Sequence, residues 1–218
     1  PQDRAKAVEL YKNAAELGYV PAQYNIGICY EYGKGVPQDY KKAVEWYTKA
    51  AEAGDEWAQF NIGDCYKNGR GVPQDSEKAV EWYTLAAEAG HVKAHVNLGD
   101  FYKDGQGVPQ DYKKAFYLYT KASGAGNVVA QVSIGDCYKD GQGVPQDLNK
   151  AFYWYNKASQ KGYAMAHDKI GSCYEYGTGV RYNHKKAIEF YERAIEGGVS
   201  YSSRNLLRCA NKYADTLL

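Results

Sequence analysis

Apolar and polar positions alternate along the chain with the period of a helix that buries one face. Apolar or small residues recur at spacings of four, three and four, which is typical of such a helix. Asp39 precedes one stripe as an N-cap, so the pattern predicts a helix over about residues 40–53. The members of this stripe are Ala43, Tyr47, Ala50 and Gly54.

A second helical pattern follows directly, over about residues 56–68, with Asp55 as its N-cap and Gly69 as its end. Gly63 lies inside this helix, where glycine costs about 1 kcal/mol relative to alanine. A close neighbour that leaves no room for a Cβ atom would explain it. The buried stripe of this helix is predicted to be Ala58, Ile62, Cys65 and Tyr66.

The two patterns recur together through the whole chain. Pro-Gln-Asp begins at residues 1, 37, 73, 109 and 145, always 36 residues apart, and Arg181-Tyr182-Asn183 opens a sixth unit in the same register. A fixed period of this length predicts a solenoid of helical hairpins, in which each hairpin buries its apolar face by stacking on its neighbours.

The repeated residues resemble the Sel-1-like repeat, a relative of the tetratricopeptide repeat. The resemblance rests on AQFNIGDCY at residues 58–66, on Gly69-Arg70-Gly71-Val72, and on the later Lys78-Ala79, Trp82-Tyr83 and Ala86-Ala87 pairs. It implies an all-α right-handed superhelix with an orphan first helix over about residues 4–17. Leu207 replaces the recurring mid-helix glycine, so we expect the last helix, about 200–216, to be a cap. The predicted single domain 1–218 contains hairpins at about 20–54, 56–90, 92–126, 128–162 and 164–198, and the cap at 199–218.

The composition argues against nucleic-acid binding and against membrane insertion. The chain has 27 Lys plus Arg against 26 Asp plus Glu, so no electrostatic field favours nucleic acid, and no apolar run reaches the roughly twenty residues needed for membrane insertion. The chain opens inside the repeated motif, and we interpret it as a fragment or processed product, so targeting signals can lie outside it. The sequence therefore identifies no compartment, although buried free thiols weakly favour the cytoplasm. We expect a monomer without a cofactor.

The cysteines occupy a single column of the repeat, on the buried stripe, and Phe101 takes that place in the third unit. Stacked helices lie about 9–10 Å apart, whereas disulfide-linked Cα atoms lie within about 7 Å. We therefore expect buried free thiols. This separates the chain from a cysteine-rich bacterial branch of the family, linked to penicillin binding, whose repeats each carry two paired cysteines. The column consists of Cys29, Cys65, Cys137, Cys173 and Cys209.

The positions of the histidines favour packing roles over metal binding or catalysis. His91 and His95 have the four-residue spacing of a two-ligand metal face, but no third ligand is evident, and His95 and His167 share a column with glutamines. We predict polar packing roles for them, and a solvated position for His184. No nucleophile, base and orienting group are close together in the sequence, so we predict no enzyme activity.

A partner surface is predicted on the first helix of each hairpin, opposite its buried stripe, where the resemblance implies a concave groove. Apolar residues on an outward face often mark a binding surface. Two alternatives stay open: the Asp and Lys residues could form ion pairs within a helix, and the Asn residues could fix helix geometry instead of binding a peptide backbone. The candidates are Tyr24, Ile28, Trp57, Phe60, Asn61, Asp64, Lys67, Val96, Asn97, Asp100, Lys103, Val132, Asp136 and Lys139.

These observations predict a non-catalytic scaffold or adaptor that binds a protein or peptide in the groove. An enzyme or a β-lactam-type ligand binder, as in the cysteine-rich branch, is one alternative. The other is a passive scaffold segment whose partner site lies outside this chain.

Overall fold

The computed structural model describes residues 2–215, and the side chains of residues 5–214. This part of the chain contains twelve α-helices and no strand, so the predicted all-α solenoid is confirmed. The helices are α1 (Gln2–Glu16), α2 (Val20–Tyr32), α3 (Tyr40–Glu52), α4 (Glu56–Asn68), α5 (Ser76–Glu88), α6 (Val92–Asp104), α7 (Tyr112–Gly124), α8 (Val128–Asp140), α9 (Leu148–Ser159), α10 (Ala164–Tyr176), α11 (His184–Glu196) and α12 (Ser202–Asp215).

The helices form two compact units, Pro1–Asp111 (unit 1) and Tyr112–Leu218 (unit 2). Unit 1 contains α1 to α6, and unit 2 contains α7 to α12. Within each unit, every helix packs against the next one in the chain, as expected for stacked hairpins. That residues 1–218 form a single domain stays a prediction.

The centre of each unit is built from alanines and one tyrosine per repeat. Tyr47 and Tyr83 in unit 1, and Tyr155 and Tyr191 in unit 2, are at most 1% exposed. Ala43 and its counterparts beside them are also buried. The predicted stripes are therefore the core, except that Gly54 is exposed and Tyr66 is only partly buried.

The mid-helix glycines make room for these tyrosines. A Cβ atom on Gly63 would lie 2.6 Å from the ring of Tyr83, which is closer than such atoms approach in proteins. Gly27 faces Tyr47 in the same way, and Gly171 faces Tyr191. The close neighbour that the sequence predicted is thus a tyrosine ring of the following helix.

The predicted helix ends are also confirmed. The backbone N–H of Lys42 donates to Asp39 Oδ1 at 3.1 Å, and that of Ala58 donates to Asp55 Oδ1 at 2.8 Å. Gly69 ends α4 in the left-handed conformation, with φ of +66°, which glycine adopts without a steric penalty.

One prediction near the C-terminal end is wrong. His184 is only 6% exposed, because its ring lies between those of Tyr182 and Tyr213, at centroid distances of 4.5 and 5.8 Å. Leu207, by contrast, is 63% exposed. This residue takes the place of the glycine that accommodates a tyrosine in the other repeats.

The five cysteines are all buried and free, as predicted. Burial raises the pKa of Cys65 and of Cys173 to about 12, so these thiols stay protonated and unreactive at neutral pH. Among the helices that the structure describes, none is long and apolar enough to span a membrane.

Candidate partner-binding face

The predicted partner-binding residues of unit 1 lie on α2, α4 and α6. Trp57, at the start of α4, is 50% exposed, and its ring meets that of His91 edge-on at a centroid distance of 4.6 Å. Phe60, one turn later, stacks on the same histidine at 4.3 Å. We call Trp57, Phe60 and His91 the aromatic cluster. The buried His91 ring supports Trp57 from behind, while the outer surface of Trp57 is open to solvent.

His91 is the N-cap of α6, a role that the sequence prediction of polar packing did not specify. Its Nδ1 atom accepts a hydrogen bond from the backbone N–H of Ala94 at 3.3 Å, and the residue is 3% exposed. Burial, reinforced by the charges of Lys93 and His95, lowers its pKa to about 4. The ring is therefore neutral at pH 7, which the capping bond requires, since a protonated ring has no acceptor nitrogen.

The neighbouring repeat extends this surface with a second partly buried aromatic residue. Tyr24 and Ile28 of α2 pack against the core of unit 1, and the Tyr24 ring lies 5.9 Å from that of Tyr47. Burial raises the pKa of both tyrosines, and hydrogen bonding with the Asn61 side chain partly opposes this shift. Tyr24 of α2 and Asn61 of α4 therefore lie beside the same Tyr47 side chain.

Two of the candidate residues do not face outward. Val96 is 6% exposed and Val132 is 5% exposed, so the expectation that they line an open surface is wrong. They share a column with Tyr24 and Phe60, whose longer side chains extend to the surface. The valine side chain ends inside the packed layer, so neither valine offers much area to a partner.

Asp64 accepts hydrogen bonds from residues of α5 and α6 and does not pair with Lys67, which lies one turn away on its own helix. It accepts a hydrogen bond from the Tyr83 hydroxyl at 2.6 Å and one from Asn97 Nδ2 at 3.4 Å. The Lys67 ammonium instead lies 5.8 Å from the ring centre of Phe101. The intrahelical ion pair left open for Asp64 and Lys67 is not formed.

The other charged candidates behave differently from one another. Lys103 does form the intrahelical pair with Asp100, at 3.8 Å. In unit 2, Asp136 accepts from the Tyr155 hydroxyl and from Lys169, both at 2.7 Å. The exposed Lys139 pairs with Asp140 next to it, at 3.7 Å. Most of these charges are thus used within the solenoid.

Glu31 has a structural role that the sequence did not predict. Its repeat has Ile28 where others have Asp64 and Asp136, and the tyrosine hydroxyl needs another acceptor. Glu31 supplies it: the Tyr47 hydroxyl donates to Glu31 Oε2 at 2.6 Å. The signal was present in the sequence, because the repeat that loses the aspartate also carries glutamate where other repeats have Lys67 and its counterparts.

Glu175 plays the same part in unit 2 and binds two cations as well. It accepts from the Tyr191 hydroxyl at 2.8 Å, from Arg208 Nε and Nη2 at 2.9 and 2.8 Å, and from Lys212 Nζ at 3.3 Å. Burial alone would raise the pKa of Glu175, but the hydrogen bonds from these three residues outweigh it and hold the pKa at about 2. Glu175 is therefore charged at all ordinary pH values.

Asp168 connects α10 to α12 in a similar way. It is 7% exposed and accepts from Ser202 Oγ at 2.6 Å and from Asn205 Nδ2 at 3.0 Å. Asn205 belongs to the same column as Asn61 and Asn97. Since the amides of Asn97 and Asn205 bond to an aspartate of the preceding repeat, their contacts favour the role of fixing helix geometry.

The comparisons with known proteins agree with this architecture. The model of the Sel1 repeat family matches residues 1–19, 20–55, 58–91, 92–127, 128–163 and 164–199. No curated protein matches the chain by sequence.

Solved structures share the fold over nearly the whole chain. A protective antigen of uropathogenic Escherichia coli with an SLR fold is 36% identical, with a TM-score of 0.87 over 94% of this chain and 44% of that one. This chain thus spans less than half the length of that protein. A Sel1 repeat protein from Oxalobacter formigenes is 33% identical, with a TM-score of 0.85 over 94% of this chain and 86% of its own. An immunity protein from Pseudomonas aeruginosa, 19% identical with a TM-score of 0.60 over 91% of this chain and 75% of its own, shares the fold alone.

Proposed function

The chain belongs to the Sel1 repeat family, and from this premise we propose that it is a non-catalytic scaffold that binds another protein or a peptide through the exposed face of α2 and α4. Sel1 repeat proteins are in general protein-interaction scaffolds. The proposal adds the place of binding in this chain.

The observation that carries this proposal is the aromatic cluster. An exposed tryptophan supported by a buried ring loses little conformational freedom when a partner covers it, and such residues dominate the energetics of many interfaces. Trp57 is half exposed, while His91 beneath it is fixed by its capping bond to Ala94. The surface is therefore preorganised to contact an apolar group of a partner.

The roles of the remaining candidates follow from their contacts. Tyr24 and Ile28 add apolar surface, and Lys67 adds a cation near the end of α4, with its ammonium 5.8 Å from the Phe101 ring centre. Asp64 and Asn97 hold the helices in register and contribute to binding indirectly. Affinity is expected from the apolar residues and selectivity from the surrounding charges.

The test is affinity capture with the immobilised chain, the Trp57→Ala variant and a matched Tyr117→Ala variant. Tyr117 is a comparably exposed aromatic residue, 57% exposed, on α7 in unit 2. We expect Trp57→Ala to lose the captured partner and Tyr117→Ala to retain it, with unchanged melting temperatures. Equal capture by all three proteins would contradict the proposed site and would mean that the partner binds elsewhere on this chain. No specific capture by the wild-type chain would favour a partner site outside it.

A further inference from the structure

The C-terminal part of unit 2 presents positive charge above a carboxylate that a partner cannot reach. The Glu175 side chain is 0% exposed, whereas those of Arg208 and Lys212 are 40% and 49% exposed. Two cations surround one anion, and only the cations are accessible. The local surface is therefore electropositive, although the chain as a whole is close to neutral.

Both cations keep hydrogen-bond donors after binding Glu175. Arg208 uses Nε and Nη2, and its Nη1 has no hydrogen-bond partner among the described residues. Lys212 donates once to Glu175, at 3.3 Å, although an ammonium group has three N–H bonds. The remaining donors can bind a second anion, and charge-assisted bonds of this kind are stronger than neutral ones.

An exposed aromatic ring lies beside these donors. Tyr176 is 55% exposed, and its ring centre lies 5.6 Å from Arg208 Cζ and 5.2 Å from Lys212 Nζ. The ring offers an apolar surface directly next to the cations. A ligand that combines a carboxylate with a neighbouring apolar group would contact both.

We propose that Tyr176, Arg208 and Lys212 form a binding site for an acidic peptide segment of the partner. Arg208 and Lys212 bind a carboxylate of the peptide, and a neighbouring apolar side chain packs on the ring of Tyr176. The planar guanidinium group suits a carboxylate because both present two atoms at matching spacing. This inference rests on the proposed function, since it describes the chemistry of a protein partner.

Unit 1 contains a natural control for this site. Tyr32 is 59% exposed, and Glu31 beside it binds Arg70 at 3.4 Å. In the next repeat, however, Asp64 stands in the column that Arg208 occupies in unit 2. An anion there opposes a second carboxylate, so we expect no acidic peptide at Tyr32.

The experiment is an NMR titration of the full chain, isotope-labelled, with the peptide acetyl-Gly-Glu-Glu-Phe-Gly-amide and with its glutamine counterpart. The Arg208 Nε–Hε signal and the Tyr176 signals should shift saturably with the glutamate peptide only. Since an exposed charge pair contributes about 0.2–1 kcal/mol, Lys212→Gln should weaken binding about 1.4- to fivefold. Tyr176→Ala should also weaken it, and Tyr32→Ala should not.

The Glu175→Gln variant should strengthen peptide binding, unlike the two variants above that weaken it. It removes the buried negative charge and keeps an acceptor for Tyr191, so the peptide should bind more tightly, provided that the melting curve shows a folded protein. Equal affinity for the two peptides, or unchanged binding by both Lys212→Gln and Tyr176→Ala, would overturn the acidic-peptide site. If those results appear while Trp57→Ala still loses its captured partner, the proposed function stands and only this inference falls.

Discussion

At the scale of single residues, His91 links helix capping to the exposed face. Its neutral ring caps α6 and supports Trp57 and Phe60. Its pKa of about 4 in the folded chain lies below its ordinary value of 6.5. The unfolded chain therefore binds a proton more readily between these two pH values, and stability must fall as the pH decreases from 6.5 to 4.

Replacing His91 by asparagine should remove this part of the acid sensitivity. Asparagine is a good N-cap and has no titrating group, and Asn127 occupies the equivalent position of α8. Urea unfolding at pH 7 and pH 4.5 should show that the wild-type chain loses about 2 kcal/mol more than His91→Asn. Equal losses would mean that His91 does not titrate in this range.

A second residue-scale prediction concerns Gly63. Alanine there would gain about 1 kcal/mol in helix propensity, but its Cβ would lie 2.6 Å from the Tyr83 ring. Overpacking typically costs about 1–3 kcal/mol, so we expect a net destabilisation of up to about 2 kcal/mol. Gly124→Ala is the matched control, because no atom lies within 4 Å of its Cβ position, and it should not destabilise. The measurement is urea unfolding of both variants.

At the scale of elements, α12 depends on polar contacts that its own sequence does not reveal. Ser202 of α12 is 0% exposed and donates a hydrogen bond to Asp168 of α10. Arg208 of α12 donates to Glu175, which also belongs to α10. The exposed Leu207 contributes little to this packing. Two buried carboxylates of α10 therefore hold α12 in place.

Asp168→Ala should loosen α12 while the helices of unit 1 stay protected. The change leaves the buried Ser202 hydroxyl and the Asn205 amide without their acceptor, which should cost about 2–3 kcal/mol. Hydrogen exchange followed by mass spectrometry should show faster exchange in residues 202–214. Asp140→Ala, which removes an exposed carboxylate, serves as control, and equal exchange in the two variants would contradict this anchoring role.

At the scale of the whole molecule, the repeat explains why the fold was predictable and the site only in part. The period of 36 residues places each alanine, tyrosine and glycine, because each hairpin meets the same neighbour. The contacts of Asp64 and Glu31 were not predictable from helix spacing. Their partners are tyrosines of the following helix, and the nearest lysine in sequence is not the nearest group in space.

The solvent exposure of side chains was the second property that the repeat pattern did not predict. Val96 and Phe60 occupy one column and were both expected to face outward, but only the larger side chain reaches the surface. His184 shows the reverse case, since two tyrosines bury a residue expected in solvent. The position in the repeat determines the direction in which a side chain points. The size of that side chain and its neighbours determine how much of it is exposed to solvent.

The central claim, that the exposed face of α2 and α4 binds a partner, is tested most directly by an affinity. The measurement is the Kd of a purified captured partner for the wild-type chain and for Trp57→Ala, by titration calorimetry. We predict that Trp57→Ala weakens binding roughly tenfold or more, as expected for a residue that dominates an interface. An unchanged Kd in a folded Trp57→Ala variant would contradict the claim.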